Sequence, residues 1–463
     1  MKIVMVASEV VPFAKTGGLA DVAGALPLAL EKAGQDVIII MPGYKAAHAI
    51  KSPEIRPFAD GVSYSKIGKN IPVYFIENKE YFDRDGLYGD KNGDHKDNLE
   101  RFSYFCRHAL ELLREIKFKP DIIHCHDWQS ALVPVYLKNT LALDPFFTRT
   151  RTVFTIHNIG YQGLFAKEAL PKTGLDWGVF NMDMLEYYDK INILKGGLVF
   201  SDLINTVSDT YSKEIQTKEF GFGMEGILEK RKADLFGIIN GLDYSIWDPV
   251  ADKKIAANFS AKDMAGKVAC KEDLQKLCGL PAKAGVPLIG VVSRLAQQKG
   301  FDIVAEGIDE ICRLDLQMVI LGTGDLTYHQ IMEAMVKKYP KVISLHLKFD
   351  DTLAHKIYAG SDMFLMPSKY EPCGLGQMIS FRYGTVPIAF KTGGLADTVN
   401  ARNGYIFDEY SKAALLANIK QAVRDFKSKK KWHDLALRGM KQNFSWSASA
   451  KKYIELYEKA KAR

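Results

Sequence analysis

Twice along this chain, short apolar runs of strand length alternate with stretches of helical periodicity. In each series the same seven letters carry a glycine pair: Lys15-Thr16-Gly17-Gly18-Leu19-Ala20-Asp21 recurs, unchanged, from Lys391 to Asp397. The first copy follows Ile3 to Ala7, which reads as a buried parallel strand, and precedes Val22 to Ala33, whose apolar residues fall at helical spacing. A glycine pair between strand and helix lets the backbone pass close to a ligand. The helix start offers N–H groups and a positive dipole end, and Lys15 adds a full charge, a combination suited to phosphate. Such a turn also occurs as a plain helix start, and its second occurrence is what favours a ligand.

The first series continues with strands expected at Val37 to Met41, Val73 to Glu77, Ile122 to His126, Thr152 to Ile156 and Leu203 to Val207. The second begins at Pro287, with strands at Leu288 to Val292, Gln317 to Leu321, Val342 to Leu345, Met363 to Pro367 and Val386 to Ala389. Alternation of this kind specifies mostly parallel sheets covered by helices, with ligands at the carboxyl ends of the strands. The fold class is therefore α/β, with two Rossmann-like domains facing each other across a cleft. A boundary is expected near residue 245, giving domains 1–245 and 246–445. The tail from Trp446 onward reads as an amphipathic helix, with Tyr453, Leu456 and Tyr457 on one side, expected to pack back on the first domain. The polar, glycine-containing stretch between Glu80 and Asp97 shows little periodicity and reads as a functional flap.

Length and composition agree with two domains. A chain of 463 residues, 47% hydrophobic and 25% charged, is of ordinary globular character. The net charge of +7 is spread along the chain apart from Lys427-Ser428-Lys429-Lys430-Lys431, which reads as a solvated loop; nucleic acid is not an expected partner. Six cysteines show no paired framework, and no signal-like or membrane-spanning run is present, so a cytoplasmic location away from membranes is expected.

Chemistry-bearing residues stand where the strands end. Arg294 and Lys299 bracket a turn after Leu288 to Val292, beside the glycine loop Gly322 to Gly324, and two cations there suit a departing diphosphate. Glu371, in Tyr370-Glu371-Pro372-Cys373-Gly374-Leu375-Gly376, can bind sugar hydroxyls or steady a cationic sugar centre; a glutamate near a helix start is also an ordinary stabilising choice. Cys373 has no assigned base and fits shape and backbone contact better than nucleophilic attack. His124-Cys125-His126-Asp127 carries metal-ligand types without a second cluster, so no metal is expected, and Asp83-Arg84-Asp85 reads as a solvated turn. His157, before Asn158, ends a strand and either faces the cleft or is a buried structural histidine.

With these residues placed, the chain closely resembles the bacterial glycogen synthases and plant starch synthases, retaining glycosyltransferases of the two-Rossmann (GT-B) type. The resemblance rests on Ser8-Glu9-Val10 with Lys15 to Asp21, His126-Asp127-Trp128, Thr155 to Asn158 and Asn240-Gly241-Leu242-Asp243. It continues through Val292 to Leu295 with Gln298-Lys299-Gly300, Glu371 to Leu375, and Lys391 to Asp397. It implies that Lys15, Gly17 and Gly18 approach the nucleotide sugar while Asp21 and Asn240 shape the donor site. Arg294 and Lys299 would hold the diphosphate, and Glu371 with Cys373, Gly374 and Leu375 the glucose. His157 would lie at the reacting carbon, with Asp127 and Trp128 beside the sugar and Tyr88 contributing to substrate binding. Phe349 stands where the family often has a tyrosine stacked on adenine, Gly376 where threonine is common, and Leu87-Tyr88 where Pro-Tyr is common.

The implied reaction is transfer of glucose from ADP-glucose to the non-reducing 4-hydroxyl of an α-1,4-glucan such as glycogen or a maltooligosaccharide, with retention and without a cofactor. Domain closure on the donor is expected. UDP-glucose as donor, a catalytically inactive glucan-binding protein, and a pyridoxal-phosphate glucan phosphorylase are the alternatives. Lys15, Arg294, Lys299 and Glu371 together argue against the inactive protein, and no cofactor-lysine context supports the phosphorylase. No G-x-G-x-x-G with an acidic partner follows the first strand, which disfavours a nicotinamide enzyme.

Overall fold

The apolar runs pair side by side into two sheets, one in each of the compact units into which the chain divides: residues 1–241 with 446–463, and residues 242–445. The computed structural model describes residues 1–91 and 93–463. In the first unit a nine-stranded sheet runs Leu235–Gly237, Leu203–Thr206, Arg151–Ile156, Ile122–His126, Lys2–Val6, Asp36–Pro42, Ile71–Ile76, Val62–Ile67, Arg56–Ala59. All pairs are parallel except the last two, and Val4 aligns with Ile38 on one side and Ile123 on the other. Central strands covered on both faces need apolar residues throughout, and Ile3, Met5, Ile39, Ile40, Ile122 and Phe154 are wholly buried.

The closing helix Trp446–Lys461 belongs to this first unit, packing on the helix Gly18–Lys32 and on strands Ile122–His126 and Arg151–Ile156. It buries Trp446, Tyr453, Leu456 and Tyr457, which its periodicity sets along one side. Gly241 sits so close to Trp446 that a side chain there would collide with the indole.

The second unit carries a six-stranded, wholly parallel sheet in the order Ile343–His346, Gln317–Leu321, Leu288–Val292, Met363–Met366, Val386–Phe390, Tyr405–Phe407. Its core joins strand residues such as Ile289, Met318, Ile320 and Ile388 to Ile308, Leu415, Ile419 and Trp432 on the covering helices. Local chemistry starts several helices: Ser208, Asp350 and Ser411 each accept a backbone N–H in the first turn that follows.

At three places the structure adds to or departs from the sequence reading. The hairpin Arg56–Ala59/Val62–Ile67 was not legible, because the outer strand is exposed throughout and lacks an apolar signature. The stretch from Glu80 to Asp97 is anchored, and Asp83-Arg84-Asp85 is more than a solvated turn: Arg84 pairs with both oxygens of Asp97 at 2.9 Å, and Arg101 donates to Tyr81 O at 2.7 Å. It contains the two-residue strands Gly89–Asp90 and Gly93–Asp94, and the part of that expectation falling on Asn92 lies outside the described residues. The lysine run is not a loop, since Lys429 to Lys431 form the first turn of the helix Lys429–Met440, which Trp432, Leu435 and Ala436 hold down. No helix among the described residues is long and apolar enough to cross a membrane.

Candidate active site

In a parallel sheet the strand order reverses at one point, and there the loops diverge to leave a crevice. In the second unit this point lies between Leu288–Val292 and Met363–Met366. A cavity of about 190 Å3 opens there, lined among others by Arg294, Lys299, Ser368, Glu371, Gly374 and Leu375. Gly300 adopts φ 81° and packs on the carbonyl of Pro367, where a side chain would not fit, so the turn Gln297–Lys299 lies down against the neighbouring strand's loop. Lys299 Nζ thereby donates to Glu371 Oε2 at 2.6 Å, and Ser368 Oγ donates to the same oxygen at 2.9 Å. Arg294 donates to Gln298 Oε1 at 3.2 Å, and Gln298 O accepts from Lys369 N at 3.0 Å, tying the two loops again. Glu371 is only 6% exposed, and a carboxylate so buried requires such partners.

Glycines around this cavity mostly face protein. Gly322 and Gly324 lie against the carbonyls of Ser293 and Leu295, and Leu295 N donates to Thr323 O at 2.8 Å, so this loop supports the Arg294 turn. Gly322 to Gly324 thus stands beside the Arg294 turn, behind the residues that line the cavity. In the second copy of the repeat, Gly393 (φ 43°) lies on Glu371 O and Gly394 on Cys373 O. Gly394 N donates to the carbonyls of Glu371 and Pro372, both at 3.2 Å. Cys373 is buried, which suits the shape-forming use over the nucleophilic one. Phe349, expected at the adenine, is 95% exposed and outside the cavity lining.

In the first unit the order reverses between Lys2–Val6 and Ile122–His126. The loop after the first of these is organised by a residue to which sequence reasoning gave no role. Buried Glu9 accepts from Thr16 N and Thr16 Oγ1 at 2.5 Å, from Gly17 N at 3.1 Å and from Tyr88 OH at 2.7 Å. Two N–H groups of the supposed phosphate loop are thus already taken by a carboxylate. Gly17 and Gly18 meet nothing where a side chain would extend, and Lys15 pairs with Asp21 at 2.7 Å on the surface. An acceptor seven residues ahead of a glycine turn was the available signal for Glu9.

After Ile122–His126 the chain turns sharply at Asp127, whose φ of 55° is left-handed for a residue bearing a side chain. Its Oδ1 accepts the N–H of His157 at 2.7 Å, and burial pushes its carboxyl up to about 7. Trp128 packs edge-on against Phe102, with Gly163 directly over its ring. His157 Nε2 lies 3.0 Å from His126 Nδ1. Burial pushes His157 down to about 3 and keeps His126 well below its ordinary value, so both rings are neutral at physiological pH. His124 bonds Tyr457 OH at 2.8 Å and Thr155 Oγ1 at 2.6 Å, which uses both its ring nitrogens within the protein. Among the described residues no group of three or more His, Cys, Asp or Glu is arranged to hold a metal. Asn240 is buried, and its Oδ1 lacks a hydrogen-bond partner among the described residues.

A larger cavity of about 510 Å3, lined by Lys267, Lys271 and Trp432, offers less chemistry. Lys267 Nζ is spent on Ala359 O, Tyr383 O and Thr385 Oγ1, and Lys271 Nζ on Asp362, Ala284 O and Val286 O.

Residues 2–230 match the starch synthase catalytic domain family and residues 279–438 the glycosyl transferases group 1 family. A glycogen synthase of Geotalea uraniireducens (strain Rf4) is 51% identical, with the match covering 100% of this chain and 99% of that protein. One from Thermotoga petrophila is 44% identical over 100% and 99% of the two chains. Among solved structures, the catalytic domain of starch synthase IV from Arabidopsis thaliana, bound to ADP and acarbose, superposes with a TM-score of 0.89 at 35% identity over 100% of this chain and 99% of that one. Sucrose-phosphate synthase from Thermosynechococcus elongatus, at 17% identity and a TM-score of 0.65 over 100% and 99%, shares the fold. Two mainly parallel sheets, each with charged side chains gathered where its strand order reverses, are the two Rossmann-like units of a GT-B glycosyltransferase, and the chain belongs to the glycogen and starch synthase family.

Proposed function

We propose that this glucosyltransferase moves glucose from ADP-glucose to the non-reducing 4-hydroxyl of an α-1,4-glucan, with retention of configuration, in the cytoplasm. The observation that carries the reading is the cavity in which Arg294 and Lys299 stand beside Glu371. Two cations next to one buried carboxylate suit a substrate that is anionic at one end and becomes cationic at the other. In this reading Arg294 and Lys299 receive the charge of the departing diphosphate. Glu371, with the backbone around Cys373, Gly374 and Leu375, holds the glucose and steadies its oxocarbenium-like centre. Glu371 acts as an electrostatic partner rather than a nucleophile, because Oε2 already accepts from Lys299 and Ser368.

The remaining roles fall to the first unit. Lys15, Gly17, Gly18, Asp21 and Asn240 meet the donor; His157, Asp127, Trp128 and Tyr88 meet the transferred sugar and the acceptor. The starch synthase resemblance of residues 2–230 supports this division, as does the open space above Gly17 and Gly18.

The test is incubation with glycogen and either ADP-glucose or UDP-glucose, following nucleotide release together with labelled glucose entering polymer. Incorporation from ADP-glucose in preference to UDP-glucose is expected. The reverse preference overturns the donor assignment and points to Phe349 and Gly376, and no transfer from either overturns the catalytic reading. Lys299→Ala is expected to raise the barrier by roughly 3 kcal/mol, the scale of one lost preorganised donor; a near-normal kcat/KM removes Lys299 from its role.

A further inference from the structure

His157 and His126 share one hydrogen bond between two neutral rings, and that bond has a direction. At 3.0 Å one of the two facing nitrogens, His157 Nε2 and His126 Nδ1, must carry the proton. The other nitrogen of His126, Nε2, is buried and has no hydrogen-bond partner among the described residues. If His157 donated, His126 would keep its proton on Nε2, leaving an N–H buried without an acceptor. If His126 donates, the orphan on Nε2 is only a lone pair. Buried unpaired N–H groups are the rarer defect, so the second arrangement is favoured.

From the direction of this bond we infer that His126 is a positioning residue, donating from Nδ1 to His157 Nε2 and thereby keeping the proton of His157 on its other edge, at Nδ1. His157 then presents a neutral donor, not a lone pair, to whatever occupies the site. Burial holds both rings below the ordinary imidazole value, so a neutral His157 faces a sugar centre that gains positive charge.

The surroundings hold His126 in register. Its backbone N–H donates to Ser130 Oγ at 2.6 Å, Ser130 Oγ donates back to His126 O at 2.8 Å, and the His124 ring lies at 4.1 Å between centroids. His124 is fixed in turn by Tyr457 on the closing helix and by Thr155, which also accepts from Asn205 Nδ2 at 3.1 Å. On the other side Asp127 fixes the backbone of His157. The consequence for transfer rests on the function proposed above; the tautomer itself does not.

The test is nitrogen NMR of the full chain labelled with 15N-histidine, where ring correlations report which nitrogen is protonated and His157→Gln supplies the assignment. In the unmodified protein His157 is expected to carry its proton on Nδ1; finding it on Nε2 overturns the inference whatever the activity. His126→Leu removes the donor: His157 should move to the Nε2–H or a mixed state, and kcat should fall about tenfold or more, by analogy with the loss of partners that orient metal-binding histidines, while the glycogen KM stays nearly unchanged. His126→Asn, whose amide can donate from nearly the same place, should restore the Nδ1–H state and most of kcat. A folded His126→Leu protein with unchanged tautomer and kcat overturns the inference. If that variant does not fold, the unmodified spectrum and His126→Asn decide. A protein that transfers from neither nucleotide sugar refutes the proposed function, while the ring spectra still judge the tautomer.

Discussion

The two copies of Lys-Thr-Gly-Gly-Leu-Ala-Asp are identical in sequence and opposite in what their glycines meet. Around Gly17 and Gly18 there is open space, while Gly393 and Gly394 lie directly on the backbone of Glu371 and Cys373. The first copy is held from beneath by the carboxylate of Glu9; the second itself holds the loop that carries Glu371. One copy leaves room for a ligand and the other serves as a clamp for the loop of a candidate binding residue. A glycine motif therefore specifies close approach by backbone, and the rest of the fold decides whether protein or ligand makes that approach.

The contrast can be broken most sharply at the clamp. Gly394→Ala drives a methyl group into the Cys373 carbonyl, and Gly393→Ala adds a left-handed φ to a similar collision. Either should lower stability by about 3 kcal/mol and abolish nucleotide-sugar turnover, read by thermal melting and by transfer assay. A variant that melts normally would show that the clamp does not exist.

Next come the paired lysines. Lys15→Ala should cut kcat/KM about a hundredfold, comparable to losing a charged donor at a phosphate, yet change stability by less than about 0.5 kcal/mol because its pair with Asp21 is solvated. Lys391→Ala, which breaks the exposed pair with Asp408, should leave both stability and turnover alone. Equal losses at the two positions would erase the difference between the copies.

Glu9→Gln replaces an acceptor for four donors by a group that is half donor. A loss of about 2 kcal/mol is expected, with faster proteolysis near residues 15–21, because bonds to a buried carboxylate are the stronger kind. Unchanged cleavage would mean that the loop stands without its carboxylate.

The smallest effect belongs to Gly18→Ala. A methyl group there meets nothing and lies at the first helical residue, so stability should rise by about 0.5 kcal/mol. The KM for ADP-glucose should nevertheless rise about tenfold if the nucleotide sugar passes over that backbone; an unchanged KM would remove Gly18 from the donor site.

Much of this architecture was legible because the central strands are buried on both faces. Runs such as Ile3 to Val6 and Leu288 to Val292 have no polar alternative, and the helix following each is marked by its own spacing. The edge hairpin escaped because exposed Arg56 to Ala59 has no buried side to announce it. Among the candidate site residues, Arg294, Lys299 and Glu371 follow strands whose ends could be read, and the structure brings them around one cavity. Phe349 also follows a strand, and its ring is exposed, so no packing within the protein marks its role. Glu9 and His126 were quoted as parts of motifs and received no role, since their partners Tyr88 and His157 are 79 and 31 residues away.

What the amino-acid order alone determined is the class of structure and the positions at which chemistry could stand. Both follow from local rules: the period of apolar residues chooses strand or helix, and a strand's end is where its polar residues begin. What only the tertiary structure decided is the strand order, the points where that order reverses, and the partner of each buried polar atom. Identical heptapeptides came to different uses, and one imidazole came to direct another, because through-space packing sets which groups are shut away from water together. Once they are, each donor must find an acceptor among those few neighbours.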